Sequence, residues 1–231
     1  METPVQKVAA IHDLSGFGRA SLTVIIPILS RMGIQVCPLP TAVLSTHSKF
    51  KNFHFVDLTD HLQPTIDHWK ELQLNFNAIY SGFLGSHKQI DIVMRFIDDF
   101  NKDNQLVVVD PVLGDDGKLY STFNEAHVRE MQNLVKKANV ITPNLTEAAL
   151  LLGKDIPSEI TDEEIKEWIL ELSDKGPQIV IITSVPENTS QNITSVIAYN
   201  KKGKRFWKVS CNYLPANYPG TGDAFASVKQ V

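Results

Sequence analysis

Leu106-Val107-Val108-Val109 runs directly into Asp110-Pro111, and this stretch decides the fold class. Four apolar residues in a row, three of them β-branched, read as a strand buried on both faces rather than on one. The proline disfavours helical backbone at Asp110, so the strand stops there. Helical patterns lie on both sides. Upstream, Ser86-x-x-Gln89 reads as a capping box opening a helix with Ile90, Val93, Met94 and Ile97 inward. Downstream, a second helix is expected over roughly 124–137.

The same alternation extends along the chain. Val5 to His12 reads as a buried strand ending at Asp13-Leu14-Ser15-Gly16-Phe17-Gly18-Arg19. A helix follows with Leu22, Ile25, Ile26, Leu29 and Met32 on one face, interrupted by Pro27 and ended by Gly33. Ile34 to Pro38 is a second strand, which Pro38 and Pro40 confine to an edge or to its end. Phe50 to Phe55 suggests an irregular extended flap, and Thr59 can cap a helix carrying Leu62, Ile66, Trp69 and Leu72. Ala78 to Ser81 is a short strand ending at Gly82-Phe83-Leu84-Gly85. Val140-Ile141-Thr142 leads into Pro143-Asn144 and a short helix, Leu145 to Leu152, closed by Gly153. Thr161-x-x-Glu164 opens another helix, and Ile179 to Thr183 is again a buried strand. Ile193 to Tyr199 and Phe206 to Cys211 form an antiparallel pair across a lysine-glycine turn. Strands alternating with helices imply βαβ units, a mostly parallel sheet and a single α/β domain over residues 1–231.

Composition narrows the function. A hydrophobic content of 43% and a charged content of 21% belong to an ordinary globular protein. A net charge of −4 gives no electrostatic case for nucleic acid. No apolar run reaches membrane-spanning length, and the cytoplasm is the expected location. The two cysteines, Cys37 and Cys211, are expected to be reduced and buried.

In open parallel sheets, ligands bind beyond the carboxyl ends of the strands. Those ends carry Asp13 to Arg19, Ser81 to Ser86, Asp110 to Asp115, Thr142 to Glu147 and Thr183-Ser184. Aspartates, a glutamate, an asparagine, hydroxyls and glycines are what a phosphate-and-magnesium site requires, because magnesium takes oxygen ligands. Each piece alone also admits a structural reading, since Asn144-x-x-Glu147 is a well-formed capping box and Asp110-Pro111 terminates a strand. Near the end of the chain, Gly220-Thr221-Gly222-Asp223 precedes Ala224-Phe225-Ala226-Ser227. A glycine turn feeding a helix start suits phosphate, and Asp223 stands where a carboxylate could take a proton from an attacking hydroxyl. That combination reads as a small-molecule kinase.

Other chemistries drop out. Gly16-x-Gly18 nearly opens a dinucleotide fingerprint, but Ser21 replaces its third glycine and the next strand ends without an acid for a ribose. There is no P-loop, no protein-kinase signature, no His-Glu-x-x-His pairing and no Gly-x-Ser-x-Gly elbow.

With these residues together, the chain resembles the ribokinase-like superfamily, and within it the pyridoxal/pyridoxamine kinases of vitamin B6 salvage. The matching pieces are IHDLSGFGRASL (11–22), PLPTAVLSTHS (38–48), YSGFLGS (80–86), VVVDPVLGDDGKLY (107–120), ITPNLTEAALLLG (141–153), VIITS (180–184) and GTGDAFAS (220–227). The resemblance implies a three-layer αβα sandwich with a small flap, ATP and Mg²⁺ as cofactors with a possible monovalent cation, and a homodimer. It implies Asp223 as the base that deprotonates the 5′-hydroxymethyl of a B6 vitamer. The amides of Gly220, Thr221 and Gly222 would form the anion hole. Asn144, Thr183 and Asp115 would contact the ATP phosphates, and Asp110 and Glu147 would serve the metal. Asp13, Ser48 and Phe83 would hold the pyridine ring.

Two departures carry expectations. Many pyridoxal kinases have serine where this chain has Asp13, which favours a cationic vitamer such as pyridoxamine. Family members continue beyond the helix at Asp223, so the domain is expected to be shortened at its C-terminus. The alternatives are a hydroxymethylpyrimidine kinase of thiamine synthesis, which shares the DPV, TPN-x-x-E and GTGD pieces, or a non-catalytic vitamer- or nucleotide-binding protein.

Overall fold

The computed structural model describes residues 5–47, 49–100, 105–157, 159–187, 192–216 and 218–228. The chain divides into two compact units, Met1–Val108 with Tyr218–Val231, and Val109–Asn217.

In the first unit the strands are β1 (Lys7–Phe17), β2 (Gln35–Thr46), β3 (Phe55–Asp57), β4 (Ala78–Ser81) and β5 (Leu106–Val109, whose last residue falls in the second unit). They lie in the order β5-β4-β1-β2-β3. β1 pairs parallel with both β2 and β4, and β3 pairs antiparallel with β2 at the edge. The helices are α1 (Leu22–Arg31), α2 (Thr59–Glu71), α3 (His87–Phe100) and α7 (Thr221–Ser227).

Several expected boundaries move. β1 continues through Asp13 to Phe17, because a register shift after His12 lets pairing resume at Leu14↔Val43. β2 runs past both prolines to Thr46. The Gln35 N–H donates to the Gln6 carbonyl, so the period of two turns the nitrogens of Pro38 and Pro40 away from β1, where no donor is lost. Part of the expected flap is the edge strand β3. Thr59 is the first residue of α2 rather than its cap; its N–H and hydroxyl both donate to Asp57 Oδ1.

The core of this unit is apolar side chains at helical and strand spacing. Leu22, Ile25 and Leu29 of α1 and Ile90, Val93 and Ile97 of α3 are buried as expected, while Ile26 and Met94 are only half-buried and Met32, just past the end of α1, is exposed. Phe96 and Phe100, one helical turn apart, join Phe76 and Trp69 in an aromatic cluster with the Phe96 and Phe100 centroids 4.5 Å apart. Burying each such ring stabilises the fold by about 1.5–3 kcal/mol.

In the second unit the order is β11-β10-β9-β8, with β8 (Val140–Ile141) parallel to β9 (Ile179–Pro186), then antiparallel β10 (Ile193–Asn200) and β11 (Arg205–Asn212). Three helices accompany them: α4 (Glu125–Val135), α5 (Leu145–Leu152) and α6 (Asp162–Asp174). Of the three expected capping boxes, those at Asn144 and Thr161 are complete, whereas at Ser86 only the hydroxyl bonds the Gln89 N–H and the Gln89 side chain turns to the Gly85 N–H instead. Gly153 closes α5 in the left-handed conformation at φ 66°. β9 extends beyond Thr183 to Pro186 because β10 pairs with it that far. A small hairpin, β6 (Gly114–Asp115) with β7 (Lys118–Leu119), was not expected. Its turn residues Asp116 and Gly117 both have positive φ, the requirement of a type I′ turn that Asp-Gly meets well. Both cysteines are free, but Cys37 is only half-buried and Cys211 is exposed, since β11 is the last strand in its order.

Candidate active site

In the first unit three stretches come together. The residues between β1 and α1 turn back on themselves, so that Leu14 and Ser21 form an antiparallel bridge. Ser21 has φ 52° and ψ −129°, a conformation that serine rarely adopts. Its N–H donates to Asp223 Oδ2 at 2.7 Å and its hydroxyl donates to Asp13 Oδ1 at 2.5 Å. Ser15 donates to the other oxygen of Asp13 at 3.2 Å. Gly220, at φ 84°, is the N-cap of α7, and a β-carbon on it would sit 2.5 Å from the Arg19 carbonyl oxygen. Only glycine allows this approach. Thr221 and Gly222 are exposed at the first turn of the helix.

Electrostatics distinguish these two carboxylates from surface acids. Asp13 is buried, and loss of water raises its pKa against the opposing pull of the two serine hydroxyls. Asp223 is half-buried, yet enough protein surrounds its carboxylate to push its pKa up to about 6. Desolvation is the main cause, the negative charge of Asp13 adds to it, and the Ser21 N–H works against it. A pKa there suits a base operating near neutrality.

Phe83 is half-buried in the loop after β4. Its carbonyl accepts from the Thr41 hydroxyl at 3.3 Å. Gln89, fully buried, accepts from the Gly85 N–H at 2.8 Å and donates to the Thr41 carbonyl and the Thr59 hydroxyl. One side chain thus ties the Phe83 loop to β2 and α2. Ser48 lies outside the described residues.

The second unit holds the other acidic residues. Glu147 accepts from the Leu113 N–H through Oε1 and from the Asn144 N–H through Oε2. Asn144 answers through Oδ1 to the Glu147 N–H, and its amide donates to the Gly114 carbonyl at 2.9 Å. The cap of α5 is thereby fastened to the small hairpin that carries Asp115, and the Gly117 N–H adds a bond to Thr146. Thr183 forms a parallel bridge with Asn144, its N–H donating to Pro143 O at 2.9 Å. Burial first, then the charges of Asp110 and Asp115, hold the Glu147 pKa well above the usual carboxylate range. Burial first, then the negative charges of Glu147, Asp115 and Asp110, push the Tyr120 phenol up to about 12.

Among the described residues no group of three His, Cys, Asp or Glu side chains is arranged to hold a metal by itself. The donor set is nonetheless oxygen only and negatively charged, with Asp110 and Glu147 mutually repelling. That fits a hard cation which keeps part of its water shell.

A family model described as phosphomethylpyrimidine kinase matches residues 30–229. The chain belongs to the phosphomethylpyrimidine kinase/pyridoxal kinase family. Within that family it is 59% identical to a Bacteroides thetaiotaomicron protein assigned as a phosphomethylpyrimidine kinase and solved with pyridoxal. That likeness covers 97% of this chain and 78% of the other, with a TM-score of 0.94. The pyridoxal kinase of Lactobacillus plantarum is 30% identical over 98% of this chain and 79% of its own, with a TM-score of 0.87. The pyridoxal kinase of Arabidopsis thaliana is 30% identical over 210 residues, which span 87% of this chain and 65% of that enzyme. The fold is therefore the mixed α/β, mostly parallel-sheet architecture of these kinases.

Proposed function

We propose that the protein is an ATP-dependent kinase that phosphorylates the 5′-hydroxymethyl group of a B6 vitamer. The observation that carries this reading is Asp223: a carboxylate beside a glycine-fed helix start, with a pKa raised to about 6 and held in place by the Ser21 N–H. A base of that strength takes a proton from a hydroxyl only as the oxygen attacks, and such catalysis supplies roughly 10²–10⁴-fold in rate.

Phosphoryl transfer asks mainly for positioning and charge stabilisation. On this reading Asp13, Ser48 and Phe83 hold the vitamer ring, the Ser48 assignment resting on the family resemblance alone. The amides of Gly220, Thr221 and Gly222 receive the transferred phosphoryl group, and Asn144, Thr183 and Asp115 contact the ATP phosphates. Asp110 and Glu147 would hold Mg²⁺, largely through water. The bound ion would neutralise the repulsion between the polyphosphate and these acids. A monovalent cation would serve the same end.

The vitamer reading is supported by the pyridoxal bound to the Bacteroides relative. The description of the matching family model favours a second reading, a hydroxymethylpyrimidine kinase with the same base and the same nucleotide chemistry. Among the described residues no helix is long and apolar enough to cross a membrane. The reading places the protein in the cytoplasm as a homodimer, without nucleic-acid partners.

The test is phosphate transfer from Mg-ATP, with pyridoxal, pyridoxamine and hydroxymethylpyrimidine run side by side and Asp223→Asn as control. Product with a B6 vitamer, lost in the variant, supports the reading. Product with the pyrimidine alone replaces it with the second. Ligand binding without any product would leave a non-catalytic binding protein.

A further inference from the structure

Ser21 hydrogen-bonds to both Asp13 and Asp223. It stands at the N-cap position of α1, yet its side chain makes no capping bond; the hydroxyl is turned to Asp13 instead. Its backbone is held at φ 52°, and the N–H so directed meets Asp223. The residue is 8% exposed, which leaves water little access to either bond. A serine used only to start a helix would bond the N–H of its second or third helical residue. Here that bond is forgone and an unfavourable backbone conformation is accepted, and what is gained is a bridge between two carboxylates.

We propose that Ser21 is a positioning residue that fixes Asp13 and Asp223 relative to one another and couples their charges, so that Asp13 sets how strongly Asp223 holds its proton. This rests on the reading of Asp223 as the base. The groups facing Asp223 are the Ser21 N–H, at the start of α1, and the Asp13 carboxylate, on β1. Those facing Asp13 are the hydroxyls of Ser21 and Ser15 and the negative charge of Asp223.

The direction of the coupling follows. The Ser21 hydroxyl stabilises Asp13 as an anion. Without it Asp13 protonates more readily, its repulsion of Asp223 weakens, and Asp223 becomes a weaker base with a lower pKa. The acidic limb of the pH–rate profile therefore moves to lower pH. Water admitted to a loosened site would lower it as well, but only the coupling predicts that Ser21→Gly adds no further shift in an Asp13→Asn background.

The experiment compares wild type, Ser21→Ala, Ser21→Gly, Asp13→Asn and Ser21→Gly in the Asp13→Asn background by kcat/KM for Mg-ATP-dependent pyridoxal phosphorylation between pH 5 and pH 9. Ser21→Gly keeps the N–H and tolerates the backbone conformation, so it separates the hydroxyl from any failure of folding. Both serine variants are expected to lose about tenfold in rate through misplacement of the two acids. Each should also shift the acidic limb down by about half a pH unit or more, and Asp13→Asn should reproduce that shift. An acidic limb unmoved in Ser21→Gly and Ser21→Ala, or moved further by Ser21→Gly in the Asp13→Asn background, overturns the proposal, whatever happens to the rate or the melting temperature. If wild type makes no phosphate product, the kinase reading fails on its own account. The carboxyl carbon of Asp223, titrated by NMR in the same five proteins, then decides the coupling: the same pattern of downward shifts supports it, and identical titrations or a further shift in the double variant overturn it.

Discussion

The backbone N–H of Ser21 donates to Oδ2 of Asp223 at 2.7 Å, joining residues 202 positions apart in the chain. It is the bond that holds the carboxylate when the charge is present, and burial is what makes that charge costly. The acid therefore changes protonation near pH 6 rather than near pH 4. Asp223→Asn keeps the shape and removes the proposed base. The expected result is a loss of roughly 10²–10⁴-fold in kcat/KM with vitamer binding within a few-fold of wild type. In the wild-type protein the acidic limb of kcat/KM should have its midpoint near pH 6. A midpoint near pH 4 would remove Asp223 from the role of base.

The same burial predicts an inverted dependence of stability on pH. Asp13, Asp223 and Glu147 all have folded-state pKa values above their unfolded ones. Their contribution is fully present below the unfolded pKa, near pH 4, and is lost as pH rises through the folded value. For Asp223, moving from 3.8 to about 6, that loss amounts to about 3 kcal/mol at most. Melting temperature should thus be higher for Asp223→Asn than for wild type at pH 7, and the two should converge toward pH 4. Equal values at pH 7 would mean that the folded protein does not resist charging this side chain.

Much of this was legible in the sequence where the signal is local. Leu106–Val109 and Ala78–Ser81 appear residue for residue as strands, and the capping boxes at Asn144 and Thr161 are complete. What escaped is non-local. Nothing near Pro38 and Pro40 indicates that β2 continues, because that depends on which edge their nitrogens face. Nothing near His12 announces the shift that lets β1 pair on to Phe17. Ser21 registered only as a glycine missing from a dinucleotide fingerprint, since its partners lie on β1 and near the end of the chain. The hairpin at Gly114–Leu119 was within reach: Asp116-Gly117 is a strong turn signal flanked by too few residues to read as strands.

Asn144 offers a test of the second unit. Its side chain caps α5 through the Glu147 N–H and, through Gly114, pins the hairpin that carries Asp115. Asn144→Ala removes both bonds and leaves the Gly114 carbonyl without this donor. The expected cost is about 1–3 kcal/mol, read from urea unfolding without nucleotide. Hydrogen exchange should rise at Gly114–Leu119 as well as at the start of α5. Faster exchange in the helix alone would show that the hairpin does not depend on this amide.

Gly82 tests how the core supports the strand ends. His12 is fully buried, and its pKa is lowered to about 3 by desolvation, so the ring is neutral at physiological pH. It sits edge-on to Tyr80 with centroids 4.3 Å apart, and a β-carbon on Gly82 would lie 2.2 Å from its Cε1. Tyr80 packs against one side of the buried imidazole, so the ring cannot shift that way to make space. Gly82→Ala is therefore expected to cost about 1–3 kcal/mol by overpacking. In a His12→Ala background the ring is gone, and the added methyl should cost little or even fill part of the space left behind. The double-mutant cycle between the two positions should show a coupling of about 0.5–3 kcal/mol. Additive effects would mean that the backbone after β4, not the imidazole, requires glycine at this position.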